Sequence, residues 1–523
     1  MEPAVHWVMI LKSLKKDSSN FTQALTNISK SQEKIFFEII NNGKDTSFGE
    51  KYDFSHISSV KDFQNRIEPQ TYESLWPYIK KTTQGYQNVL TKDPIIFHEL
   101  SSGSSMPAKL IPYTQKSLHA LQAGILPWLH DLISSRPNIK KGRAYFSISP
   151  LRIIKDYSGK IHHYSPNNDL SFFGETISTE LAKITITDNT IGKIKDIKEW
   201  KFKTCLSLLG ARDLSLISIW SPTFLGVLLD FIKMNKTSLL DYLEKNLPKR
   251  SIELKKIFSK QKLDYEKIWP QLDTISCWMD GSSSIFINNL KNKFPNINFQ
   301  KKGLISTESL VTIPLSKYND NILSPLSAFY EFKKENDFFL AHQLLKNCIY
   351  EVLITTYSGL YRYQLFDLVK VVDIIDNIPL LKFIGRSNIT SDMCGEKLNE
   401  DFVLDIFNQV LPHCPKILCA CKGQPPYYKL IIETNENVKK LNILIDEKLK
   451  QNPHYKLARE LGQLDNLVVT TTKSLVNFIN KKYPNYYTDG NHKTPILLTL
   501  NPQPQNLFQL RSLKDSFLLI QLL

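Results

Sequence analysis

Four short stretches of the chain carry residue types suited to phosphate chemistry. In Ser101-Ser102-Gly103-Ser104-Ser105-Met106-Pro107-Ala108-Lys109, an apolar lead opens into small hydroxyl-bearing residues with a lysine just beyond. Backbone N–H groups and hydroxyls in such a loop can meet phosphate oxygens, and the lysine can add positive charge. Ser306-Thr307-Glu308-Ser309 sets hydroxyls beside a carboxylate, a combination that can hold a Mg2+ bridging phosphates. Between two apolar runs, Thr355-Thr356-Tyr357-Ser358-Gly359-Leu360-Tyr361-Arg362-Tyr363-Gln364-Leu365-Phe366-Asp367 crowds aromatics, an arginine and an acid into one segment. An aspartate there can accept both hydroxyls of a ribose. Lastly, Gly385-Arg386 can act as a hinge that carries Lys397, within Gly395-Glu396-Lys397-Leu398-Asn399-Glu400, in and out of a site. Taken singly, these stretches also read as a flexible turn, a helix cap, a hairpin tip and a linker. Only the third is badly served by its plain reading, because a buried strand pair does not ordinarily carry that polar load.

Several other chemistries find no footing. The serine loop lacks the Gly-x4-Gly-Lys-Ser/Thr spacing of a Walker loop. No Gly-x-Ser-x-Gly elbow occurs. His162-His163 with Asp169 is similar to an acyltransfer pattern, but the position four residues after the second histidine is Asn167, not an acid. His413, Cys414, Cys419 and Cys421 lie close together without a second cysteine pair to complete a zinc site. Instead, residues 417–421 read as a strand with both cysteines on one face. Seven cysteines, an odd number in a long chain, argue against a disulfide framework and suit a reducing, cytoplasmic setting. The apolar run at residues 4–11 is short, holds His6 and follows Glu2, unlike a secretory leader. No stretch approaches the ~20 apolar residues of a membrane span.

These stretches need a scaffold, and the chain is rich enough to build one. Its 523 residues are 42% hydrophobic and 22% charged, a globular composition with room for one large core and a smaller one. The formal net charge of +15 comes largely from dispersed lysines, which makes the surface attractive to anions, from polyanions to small phosphates. Residues 1–95 read as helical, with apolar spacing over 21–42 and short helical pieces over 62–81. A long helix is expected at 115–134. Buried strands are expected at 214–220, 274–278, 310–314, 351–356 and 369–374, and helices at 222–234, 239–246, 283–294 and 326–334. Such alternation argues for an α/β architecture with a mainly parallel sheet. After Arg386 the texture resets to a compact α+β unit: a helix at 399–411, strands at 416–421 and 427–433, and a helix at 435–451.

The four stretches fall in one order along the chain, and together they resemble the acyl acid-amido synthetases of the auxin-responsive promoter (Gretchen Hagen) family. That family belongs to the superfamily of acyl-CoA synthetases, adenylation domains and luciferases. The resemblance also takes in Thr46-Ser47-Phe48-Gly49, Tyr72-Glu73-Ser74-Leu75-Trp76-Pro77-Tyr78-Ile79, Trp269-Pro270-Gln271-Leu272 and Ser276-Cys277-Trp278. Near the end it includes Asn452-Pro453-His454-Tyr455 and His492-Lys493-Thr494-Pro495. Its most specific piece is Thr356-Tyr357-Ser358-Gly359-Leu360-Tyr361-Arg362-Tyr363.

The resemblance implies a large N-terminal adenylate-forming domain, 1–385, and a small mobile α+β domain, 386–523, that closes over the site. It implies a ligase that uses ATP and Mg2+ to activate a small carboxylic acid as its adenylate and then joins the acyl group to an amino acid. By the same resemblance Ser101, Ser102, Gly103, Ser104 and Ser105 hold the outer phosphates. Ser306 and Thr307 lie near the α-phosphate, and Glu308 places Mg2+. Tyr361 lines the nucleotide site and Asp367 binds the ribose. Lys397 approaches the reacting carboxylate, Lys493 faces pyrophosphate, and Trp128, Trp220 and Phe224 line the acyl pocket. A monomer without a nucleic-acid partner is expected. The chain departs from the family pattern in places. The serine loop is about one residue short and lacks a second glycine. Leu304-Ile305 replaces an aromatic-glycine pair, Phe366 stands in a glycine's place before the aspartate, and His492 and Ile496 stand where tyrosine and arginine are usual. Transfer to a thiol or hydroxyl acceptor, or binding of nucleotide or a macromolecule without turnover, remain as other expectations.

Overall fold

The computed structural model describes residues 2–101, 109–150, 152–156, 158–164, 169–188, 190–280, 283–387, 390–411, 416–433, 441–473, 475, 478 and 496–499. The chain divides into two compact units, the larger ending at Ile384 and the smaller containing the chain from Gly385 onward.

In the larger unit, strands Arg143–Phe146, Leu214–Ser218, Thr274–Ser276 and Asn298–Gln300 form a parallel sheet in that order. Parallel neighbours need long crossovers, and helices Ile197–Gly210, Pro222–Met234 and Ser284–Lys293 lie in the connections. Leu214–Ser218 and Thr274–Ser276 are buried throughout, so they read as continuous rather than alternating apolar runs. The Pro222–Met234 helix forms where expected because Ser221 caps it and Pro222 pre-sets its first turn.

The largest sheet is not parallel. Seven strands take the order Asp337–Phe339, Phe329–Lys334, Ile349–Thr355, Tyr363–Ile375, Ile378–Arg386, Asn321–Leu323 and Thr312–Pro314, and every defined register in it is antiparallel. The α/β class therefore holds, while the expectation of mainly parallel strands fails for 310–314, 351–356 and 369–374. The connections are too short for helical crossovers. Between Tyr363–Ile375 and Ile378–Arg386 the chain reverses through Asp376 and Asn377, both left-handed at φ 51° and 64°, the signature of a tight hairpin turn. Residues 326–334, expected as a helix, contain the strand Phe329–Lys334 instead. The aromatic residues Phe329, Tyr330 and Phe332 are buried there, and the strand is paired on both edges.

The helix Ile28–Gly43 docks on this sheet through one buried glutamine. Gln32 donates to the carbonyls of Pro325 and Ala328 at 2.7 and 2.8 Å and accepts from Tyr330 N–H at 2.9 Å. The helix Pro3–Leu25 is fixed by Trp7, whose indole N–H donates to Gly142 O at 2.8 Å. In the smaller unit, Lys416–Cys421 and Tyr427–Glu433 pair antiparallel, flanked in parallel by Leu497–Leu498 and Val468–Thr472. Helix Leu441–Leu449 lies in the part of 435–451 that is described. The six cysteines among the described residues are free thiols, and no helix among those residues is long and apolar enough to cross a membrane.

The link Thr356–Arg362 sits deep in the larger unit. Arg362 and Glu331 pair at 3.0 Å with both side chains 1% exposed, and the guanidinium lies 4.3 Å from the Phe338 ring centroid. Arg362 also donates to the carbonyl of Gln64 at 3.2 Å. Removing one member leaves the other charge buried, so Arg362→Met is expected to cost about 3–5 kcal/mol of stability in urea denaturation. Replacing both, as Arg362→Met with Glu331→Leu, should recover a large part of that loss; a single-variant loss under about 1 kcal/mol would contradict the buried pairing.

Candidate active site

Ser101 and Lys109 stand opposite each other at the base of the serine loop. Ser101 N–H donates to Lys109 O at 2.8 Å, and Lys109 N–H donates to Ser101 Oγ at 3.3 Å. Both continue the hairpin Ile95–Leu100 and Leu110–Thr114. Ser102, Gly103, Ser104 and Ser105 lie outside the described residues. Lys109 Nζ donates to Tyr363 Oη at 3.1 Å and lies over the Tyr72 ring. Tyr363 Oη in turn is 3.5 Å from Glu308 Oε1. The base of the loop, the first residue of strand Tyr363–Ile375 and the carboxylate of the Ser306–Ser309 turn therefore meet in one corner.

That turn is closed by its own serine: Ser306 N–H donates to Ser309 O at 2.9 Å, and Ser309 N–H donates to Ser306 Oγ at 3.2 Å. Thr307 O accepts from Tyr113 Oη at 2.7 Å. Burial, then the charges of Glu99 and Glu308, hold the Tyr113 phenol well above its ordinary value, so it stays a neutral donor. Beside Glu308 lies a cavity of about 20 Å3 whose polar lining includes Ser117, Thr356 and Ser358. Room of that size suits one water, and the hydroxyls supply its partners.

Asp367 is buried, four residues beyond Tyr363 on the same strand. The register jumps from Leu353 opposite Gln364 to Glu351 opposite Leu368, so Leu365, Phe366 and Asp367 bulge out of the ladder. Phe366 takes φ 60° there. Glycine adopts that conformation without steric cost, whereas phenylalanine holds it under strain.

Tyr361 does not join this corner. Its hydroxyl donates to Leu90 O at 2.6 Å, and its ring stacks on Phe48 at 4.8 Å, 1% exposed. Gly359 lets that packing form: at φ 86°, a Cβ there would stand 2.7 Å from Leu90 O. The expected nucleotide-site tyrosine is thus a core residue, and Tyr363, two positions on, reaches the corner. The two-residue offset gave no sequence signal; the contact with Lys109, 254 positions away, is made only by the fold.

Trp128 and Trp220 both meet the Lys302 ammonium, which is 5.1 and 5.0 Å from their ring centroids. Phe224 does not share this contact; its ring packs edge-on against Trp200 at 5.6 Å, because the first turn of its helix faces Ile197–Gly210.

In the smaller unit Lys397 is half-buried at φ 45°. Two neighbours pin the chain around it. Asn452 donates to Lys397 O at 3.3 Å while capping helix Pro453–Leu461, which accounts physically for the Asn-Pro-His-Tyr motif. Glu396 is fully buried and accepts from Met393 N–H at 2.8 Å, Cys394 N–H at 2.8 Å and Tyr428 Oη at 2.5 Å. Lys493 lies outside the described residues. Among the described residues no cluster of three or more metal-ligating side chains occurs.

A helical and sheet scaffold brings a carboxylate, a lysine and the two residues at the base of the serine loop to one corner, and comparison with known proteins gives its lineage. Residues 17–299 match the GH3 family N-terminal domain and 321–386 the GH3 family central domain. The chain belongs to the GH3 family. The indole-3-acetic acid-amido synthetase GH3.2 of Arabidopsis thaliana is 22% identical over 71% of this chain and 76% of its own. The 4-substituted benzoates-glutamate ligase GH3.12 of the same plant is 26% identical over 28% of this chain and 26% of its own. Among solved structures, the acyl acid amido synthetase GH3.15 in complex with 2,4-DB superposes with TM-score 0.65, 18% identity and 96% of both chains covered. A 2-hydroxyisobutyryl-CoA ligase superposes at 0.56 with 11% identity and 93% of both covered, so the fold is that of adenylate-forming ligases.

Glu396 gives a test of how its loop is held. Burial, then the charge of Asp392, pushes its carboxyl up to about 7 from an ordinary 4.5. A raised carboxyl binds its proton more tightly in the folded chain, so its stabilising share is full below about 4.5 and is lost as pH rises through 7. Glu396→Gln, which mimics the protonated form, should therefore gain on wild type in thermal melting at pH 8 compared with pH 5. An equal offset at both pH values would show that the buried carboxylate is not under this strain.

Proposed function

We propose that the protein uses ATP to activate a small carboxylic acid and passes the acyl group to the amine of an amino acid. The observation that carries this is the single corner formed by Ser101, Lys109, Tyr363 and Glu308, with Asp367 in the bulge of the same strand. In the first step a carboxylate oxygen attacks the α-phosphorus and the bond to pyrophosphate breaks. In the second, the amine attacks the acyl carbon, the bond to AMP breaks and the amine loses a proton. No residue acts as a covalent nucleophile; the work is positioning and charge neutralisation.

In this reading Ser101, Ser102, Gly103, Ser104 and Ser105 hold the outer phosphates, with Lys109 and Tyr363 setting the floor of that loop. Asp367 takes the ribose hydroxyls. Ser306 keeps the turn closed, and Thr307 keeps Tyr113 beside it. Lys397 serves the adenylation step, Lys493 faces pyrophosphate, and Trp128 and Trp220 face the acyl acid. The oxygen donors around Glu308, one carboxylate and several hydroxyls, fit Mg2+, which commonly takes one or two carboxylates together with phosphate. When bound, Mg2+ would neutralise charge on the phosphates. Free thiols support a reducing, cytoplasmic setting.

Acid-dependent pyrophosphate release against a pool of aromatic and aliphatic acids tests the first step; AMP release that depends on added amino acid tests the second. Asp367→Ala should raise the KM for ATP roughly 10- to 100-fold. Lys397→Ala should leave ATP binding nearly intact and slow adenylation on the order of 100-fold. Full turnover by Lys397→Ala would remove the lysine from the mechanism, and no release with any acid would remove the ligase reading itself.

A further inference from the structure

One buried side chain of the smaller unit makes two sets of hydrogen bonds, and only one of them is explained by folding. Asn452 is fully buried between the end of helix Leu441–Leu449 and the start of helix Pro453–Leu461. Its backbone N–H donates to Leu449 O at 3.0 Å, and its Oδ1 accepts from His454 N–H at 2.9 Å and Tyr455 N–H at 3.1 Å. Two backbone donors can meet only the oxygen of the amide, so the NH2 group has to face the other way. There it donates to Lys397 O at 3.3 Å. Serine and aspartate cap a helix about as well as asparagine, but neither places an N–H on the far side of the cap. The helix has no use for that donor.

The support behind Asn452 is stiff. Asp446, on the first of these helices, accepts from Tyr455 Oη at 2.6 Å and pairs with Arg459 at 3.0 Å, which locks the two helices together. Lys397 ends the loop of a small hairpin whose strands are Thr390–Ser391 and Leu398–Asn399. Before it, Gly395 N–H donates to Asp392 Oδ1 at 2.8 Å, and the Glu396 carboxylate is bound by the amides of Met393 and Cys394 and by the Tyr428 hydroxyl. After it, the carbonyl is bound by Asn452. A residue clamped on both sides of its Cα has the direction of its side chain set by the clamp, and here the clamp keeps φ at 45°, which lysine seldom adopts.

We propose that Asn452 is a positioning residue for Lys397: its amide donor, acting through the Lys397 carbonyl, aims the lysine side chain for the adenylation step. This rests on the ligase reading above. A lysine that must meet a reacting carboxylate gains from being held in one direction before the substrate arrives, and a small error in its placement is costly in rate. The cap alone asks only for an oxygen at position 452; aiming the lysine asks for the nitrogen as well.

Asn452→Asp and Asn452→Ser keep a capping oxygen and lose the N–H, whereas Asn452→Ala loses both. Melting temperature should fall clearly only for Asn452→Ala, while all three variants lower kcat for acid-dependent pyrophosphate release about tenfold or more with the KM for ATP unchanged. In a Lys397→Ala background, Asn452→Ser should cause no further loss of rate, because it acts through that lysine. Wild-type rates in the Asp and Ser variants, or an equal loss in both backgrounds, would leave Asn452 a helix cap and overturn the proposal. Amide hydrogen exchange reads the tether without turnover. In Asn452→Ser the peptide over 392–399 should exchange several-fold faster while 453–461 keeps its protection; unchanged exchange over 392–399 also overturns the proposal. If wild type released no pyrophosphate with any acid yet showed this exchange pattern, the ligase reading would fall and the Lys397 tether would stand.

Discussion

The buried pair of Arg362 and Glu331 fixes where strand Tyr363–Ile375 starts. Neither charge has water to share, so the guanidinium must find its carboxylate and the carbonyls around it in one place. The left-handed φ of 47° at Arg362 and of 86° at Gly359 then turns the chain sharply between two strands. Everything downstream inherits that placement. Tyr363 is the first residue free of the knot, and its hydroxyl meets Lys109 and approaches Glu308. The sheet, the serine hairpin and the Ser306–Ser309 turn are joined at this point, although their residues are far apart in the chain.

This division of labour explains why the segment was both legible and misleading in the sequence. Its unusual load of aromatics, an arginine and an acid marked it as special, and it is. Most of that load is spent on folding, however. Tyr357 donates to Glu38, Tyr361 stacks in the core and Arg362 pairs with Glu331. Alternation along an extended chain places neighbours on opposite faces, but a turn with two left-handed residues breaks that parity. The choice between Tyr361 and Tyr363 was therefore not available from spacing. Strand direction was equally hidden. Apolar runs at 351–356 and 369–374 look alike whether buried in a parallel or an antiparallel sheet, and only the short connections separate the two. The helix Pro222–Met234, by contrast, carries its cap and its proline in the sequence, so its bounds were readable. Residues 326–334 had apolar spacing compatible with a helix, and pairing on both edges of the strand decided against it.

Lys302 was invisible for a different reason. One lysine in a lysine-rich chain carries no signal, and its partners Trp128, Ser218 and Trp220 lie on other elements. The same holds for Asn452, which reaches back to the carbonyl of Lys397 across 55 positions. Its motif was recognisable as a string; its purpose needed the fold.

Backbone strain gives the last connection. Phe366 and Lys397 both hold left-handed φ angles, 60° and 45°, that side chains seldom adopt. Each such residue costs of order 1–3 kcal/mol and persists only where its surroundings over-determine it. The surroundings are specific in both cases. Phe366 is held by a bulge in a strand paired on either side, and it sits directly before Asp367. Lys397 is held by Glu396, buried under Tyr428, and by the amide of Asn452. Strain that is not relieved by a glycine, next to an acid in one unit and at a lysine in the other, points to positions where the direction of a side chain matters more than the stability of the chain.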